Sequence, residues 1–126
     1  MAGNLTNYLE NKLLDHFLGT TPYTKPTVYV GLFTVAPTDA GGGTEVTGGS
    51  YARQTAAFSA ASSGTTSNSA NIDFTGMPAA TTVAIAIFDA STSGNMLVYG
   101  TLTTNKTTDA GDTLRIATGD LDISID

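Results

Sequence analysis

Cysteine is absent from this chain, which removes disulfides and thiolate metal ligands and leaves the redox compartment unread. Tryptophan is absent too, so nothing offers the aromatic platform on which a paired-carboxylate glycosidase holds its sugar. A single histidine, His16, cannot complete a zinc tetrahedron without cysteine partners, and no GxSxG motif supplies a nucleophile for a triad. Basic residues are scarce, 5 against 11 acidic ones, giving a net charge of -6 and a pI near 4.3. Only Lys106 and Arg115 lie within a dozen positions of each other, so no basic stripe awaits a phosphate backbone, and direct nucleic-acid binding is not expected. Apolar runs fall far short of a membrane span, and the N-terminus lacks the charged, apolar and small-residue segments of a signal peptide. Neither a membrane partner nor an export signal is expected.

What the chain does have is threonine and serine, which together outnumber its charged residues. Threonine favours strands because its β-branched side chain packs well on a pleated surface. Hydroxyl-rich faces can also be covered by neighbours without stripping water from many ions, whose unpaired burial is far more costly. At 126 residues the sequence fits one domain, expected over 1–126.

Residues 4–18, NLTNYLENKLLDHFL, carry Leu5, Leu9, Leu13 and Phe17 at every fourth position, with Tyr8, Leu14 and Leu18 widening the apolar face. That is the helical period. Asn4 or Asn7 is the expected cap, with Glu10 three positions after Asn7 as in a capping box, and Gly19 ends the helix. A helix this short is marginal alone, so its face must be buried, either on its own sheet or on a neighbouring subunit.

From residue 27 to residue 126 the pattern becomes β. Thr27–Val35 reads as a buried strand between Pro26 and Pro37, and Tyr51–Phe58 as a weaker one. The stretches 37–50, with five glycines, and 59–69 read as long permissive loops. Ile72 and Phe74 share one strand face before Gly76, Met77 and Pro78. Val83, Ile85 and Ile87 share one face and Ala84, Ala86 and Phe88 the other, which predicts a central strand, with a turn at 89–94 and a hairpin partner at 96–102. Leu114 and Ile116 mark another strand. Leu121, Ile123 and Ile125 alternate with Asp122, Ser124 and Asp126 in the last, so acidic groups sit where they discourage edge pairing. The expected fold is mainly β: a β-sandwich or partly closed β-barrel of six to eight strands with one N-terminal amphipathic α-helix.

Chemistry is thin. Asp109 with Asp112 and Asp120 with Asp122 lack the EF-hand rhythm and read as turn caps. Gly41, Gly42 and Gly43 are followed by Thr44 and Glu45, not by GK[ST] and a helix, so they form no phosphate loop. No cofactor, metal or catalytic residue is expected.

The stretches VYVGLFTVAPTDAGGGTEVTGGSYAR and IAIFDASTSGNMLVYGTLTTNKTTDAGDTLRIATGDLDISID resemble small virion structural proteins of tailed bacteriophages, known as tail-fibre or minor structural proteins and in some cases head decoration proteins. GGxYAR at Gly48–Arg53 and the IFDA…GN.L.YG.L…K….GDTL pattern across Ile87–Leu114 carry the likeness. The chain departs from relatives that place a tryptophan before the central strand, where it has Met77 and Pro78. The resemblance implies a non-enzymatic virion protein, self-associated as a trimer or higher oligomer and bound to a major capsid protein or tail proteins. Head decoration, or cement, is the favoured role because no repetitive fibre shaft is present; a tail, tail-fibre or tail-tip subunit is the alternative. Candidate interface residues are Leu5, Leu9, Leu13 and Phe17 on the helix, Gly41, Gly42 and Gly43 in the loop, and Tyr51 and Arg53 in GGxYAR.

Overall fold

A computed structural model describes residues 4–125. Its elements run β1 (Asn4–Leu5), α1 (Asn7–Phe17), β2 (Tyr29–Val35), β3 (Thr44–Glu45), β4 (Gln54–Thr55), β5 (Thr65–Ser67), β6 (Ile72–Met77), β7 (Ala80–Phe88), β8 (Met96–Thr108), β9 (Asp112–Ile116) and β10 (Asp122–Ser124). The chain is mostly β with a single N-terminal helix among the described residues.

The helix begins later than its apolar period suggests. Asn4 and Leu5 are extended and pair antiparallel with Tyr99 and Val98 of β8, so Leu5 belongs to a strand and not to the helix face. Thr6 is the cap, with extended backbone angles and a hydroxyl that accepts from the Leu9 N–H at 3.3 Å. Asn4 and Asn7 therefore do not cap, and Glu10 lies one position beyond the capping-box site. The Thr6 hydroxyl also donates to the Met96 carbonyl at 2.7 Å, which fastens the first turn to β8.

The main sheet has the order β1-β8-β7-β2-β3, with β4 also on β2, and all these pairings are antiparallel. β7 is central, as its two apolar faces predict. The hairpin to β8 closes through Asp89, whose carboxylate accepts from the Asn95 backbone N–H at 2.7 Å and side-chain amide at 2.9 Å. Two ribbons, β6 with β9 and β5 with β10, complete the sheets. The sheets stay open; no barrel closes among the described residues. Ten pairing segments exceed the six to eight expected, because β1 forms where helix is expected and β3 and β5 form inside the stretches read as loops, while 51–58 pairs only briefly at β4.

The larger core joins Val30, Leu32, Ile85 and Ile87 of the sheet to Ile72, Phe74 and Leu114 of the β6–β9 ribbon, so that ribbon covers one sheet face. Val46, from the glycine-rich stretch, is buried there as well, and that stretch is less empty of core residues than it reads. On the other face Phe33, Ala84, Ala86 and Phe88 make a smaller cluster, with the Phe33 and Phe88 rings stacked at 6.0 Å. Val83 joins this second cluster, against the expected alternation. The register shifts between Thr82↔Lys106 and Ala84↔Thr101, so Val83 alone stands opposite residues 102–105 and side-chain parity inverts there. In the last segment Leu121 is buried and Ile123 half-buried, but Ile125 is exposed; Asp126 lies outside the described residues.

Candidate functional site

β2 is flanked at one end by β4, through Tyr29 and Val30, and at the other by β3, through Phe33. The backbone between these partners needs another donor and acceptor. The Leu32 carbonyl accepts from Val46 N–H at 2.9 Å, and the Leu32 N–H donates to the Tyr51 phenol at 2.8 Å. Tyr51 in turn donates to Glu45 Oε2 at 2.7 Å. Burial first, and then this bond to Glu45, push the Tyr51 phenol well above the ordinary tyrosine range.

Arg53 finishes the cluster. Its Nε donates to Glu45 Oε2 at 3.0 Å and its Nη2 to Oε1 at 2.9 Å, a two-pronged pair. Nη1 donates to the Ala90 and Ser93 carbonyls at 3.0 and 2.8 Å, and the guanidinium lies 3.5 Å from the Phe88 ring centroid. With its side chain only 9% exposed, Arg53 binds three segments of chain together. Gly31 makes room for this: a Cβ there would meet Glu45 Oε2 at 2.8 Å.

Beside the cluster a cleft of about 660 Å³ opens between the start of α1, the glycine-rich turn and the 89–95 turn. Gly41, Gly42 and Gly43 form part of its wall, all with positive φ. They are not a free arm. Thr38 and Gly41 bond each other's backbone at 2.9 and 2.8 Å, and the Asp39 carbonyl accepts from Asn7 N–H at 2.9 Å. Tyr99 donates to the Asp39 carboxylate, a bond that raises the Tyr99 phenol above its ordinary value. A Cβ on Gly43 would strike the Val35 carbonyl at 2.6 Å, whereas Gly41 and Gly42 face open space.

The helix candidates part company. Leu9 packs with the larger core and Leu13 is half-buried, yet no α1 residue is fully buried, and the far end presents Leu14, Phe17 and Leu18 at 51, 64 and 75% exposure. His16 Nδ1 accepts from the Tyr23 N–H at 2.9 Å, a structural role. Glu45 escapes a sequence reading because it sits in a glycine-rich stretch with no periodic signal. The Asp112 carboxylate accepts from Asp109 N–H at 2.8 Å, the turn-capping role expected of that pair.

Among the described residues no group of His, Cys, Asp or Glu side chains gathers to hold a metal, and no helix is long and apolar enough to cross a membrane. No curated protein matches the chain. The family described as podophage GP4 fiber I protein gp80 matches residues 4–124, which takes in every element from β1 to β10. The chain belongs to that family of phage fibre proteins.

Proposed function

We propose that this protein is a non-enzymatic structural subunit of a phage virion, placed in the tail-fibre apparatus. The observation that carries the reading is the family match across residues 4–124, whose description is that of a fibre protein. The architecture supports it. Arg53 and Tyr51 use their polar groups within the chain to brace β2, β3 and the 89–95 turn, while apolar side chains at the end of α1 face outward. That combination suits a braced body with surfaces left for neighbouring protein. The partners are further copies of this chain and other virion proteins.

Copy number per particle, counted by quantitative mass spectrometry with antibody labelling seen by electron microscopy, tests the assignment. Tens of copies or fewer at the tail are expected. Hundreds of copies on the head lattice would replace it with the head-decoration role, which the hydroxyl-rich, ion-poor composition also suits. Absence from purified particles would overturn both.

A further inference from the structure

The exposed end of α1 has a counterpart elsewhere on the molecule. A pocket of about 260 Å³ lies among β2, β7, β8 and β9, larger than the ~150 Å³ cavity known to admit a benzene ring. Its floor is Leu32, Ile85, Leu114 and Leu121, all buried. Thr82 is also on the floor, 0% exposed, and its hydroxyl has no hydrogen-bond partner among the described residues. The apolar floor calls for an occupant that brings apolar bulk. At the rim stand Lys106, Arg115 and Asp120, all exposed. Asp73 holds Arg115, and Lys106 has no ion pair among the described residues. None of the lining residues comes from α1.

We propose that the C-terminal end of α1 from one copy seats in this pocket of a second copy, in a head-to-tail contact. The proposal deepens the reading of the chain as an assembling subunit. Phe17 and Leu18 supply the apolar bulk. The same helix end is the negative pole of its dipole, with exposed Asp15 beside it, which complements the free Lys106. Thr6 anchors the start of α1 at Met96 and Leu97, whereas the pocket lies further along β8 at Leu102–Lys106. No α1 residue lines the pocket, so tip and pocket are different surfaces. A contact between unlike surfaces leaves each copy with one of each, so it propagates into a closed ring or an open filament.

Sedimentation velocity of the purified full-length chain, from micromolar to sub-millimolar concentration, reads the contact. The parent is expected to associate with rising concentration. Leu18→Asp and Thr82→Leu should each weaken association by at least ~10-fold. Mixed together, the two variants should form a one-to-one dimer that stops there, because one retains a pocket and the other a tip. Circular dichroism checks the folding of Thr82→Leu; if it unfolds, Lys106→Glu at the exposed rim takes its place. A parent that stays monomeric, a pocket variant that associates like the parent, or a mixture no better than either variant alone would each overturn the proposal. Since the measurement needs no particle, a monomeric chain leaves the virion assignment standing, and absence from particles leaves this contact standing.

Discussion

Tyr51 is the residue through which the glycine-rich stretch is tied to the sheet, and its phenol both accepts from Leu32 N–H and donates to Glu45. Tyr51→Phe removes both bonds, leaving the Leu32 N–H without its acceptor and Glu45 Oε2 with Arg53 alone, so it should cost about 1–3 kcal/mol in chemical denaturation at neutral pH. Its pH dependence has a definite sign. Burial and the Glu45 bond raise the folded-state pKa, so the stabilisation is complete below the unfolded value of about 10 and is lost as pH rises beyond it. Stability measured from pH 9 upward should fall more steeply in the parent than in Tyr51→Phe. Both Tyr51 and Arg53 were legible in the sequence as members of GGxYAR, but their geometry was not. Nothing in one-dimensional spacing says that Arg53 reaches Ala90 and Ser93, because those partners arrive only when β7 and its turn are in place.

At the scale of elements, periodicity read well where packing is repetitive and failed where one side chain decides. β2, β7 and the β8 hairpin were visible because long apolar alternation and a polar turn leave few other options. The apolar period overruns the start of α1, since Leu5 continues the spacing of Leu9 and Leu13 while its backbone is claimed by β8. The Thr6 hydroxyl settles the boundary by bonding both Leu9 N–H and the Met96 carbonyl. Thr6→Ala should therefore cost about 0.5–2 kcal/mol, at the upper end because this cap also ties α1 to the sheet. Hydrogen exchange in α1 should speed up more than in β7, since the helix has no fully buried residue of its own to hold it. Val83 departs from the alternation for a related reason: a register shift inverts parity locally, and no residue type announces it. The short strands β1, β3 and β5 escape the pattern because two or three residues carry no measurable period.

For the whole molecule, the acidic balance makes low pH the informative direction. Partial burial pushes the Asp89 carboxyl up, but hydrogen bonds from the Asn95 backbone and side chain and from its own N–H, with the nearby Arg53 charge, hold it below the ordinary value. At Asp73 the Arg115 guanidinium does the same through a bidentate pair. Both depressed groups stabilise above the unfolded carboxylate value of about 4, and that contribution disappears as pH falls through the folded values. Thermal melts between pH 6 and pH 2 should show an acid-side decline that Asp89→Asn reduces. The Arg53 brace has a temporal consequence as well. Its bonds to Ala90 and Ser93 span 37 and 40 positions, so they can form only after β7 and its turn have come against the segment that carries Arg53. A contact made after the rate-limiting step leaves the refolding rate almost untouched when removed. Arg53→Ala should thus refold nearly as fast as the parent in stopped-flow experiments and unfold much faster, which makes this buried guanidinium a clasp on the lifetime of the folded state.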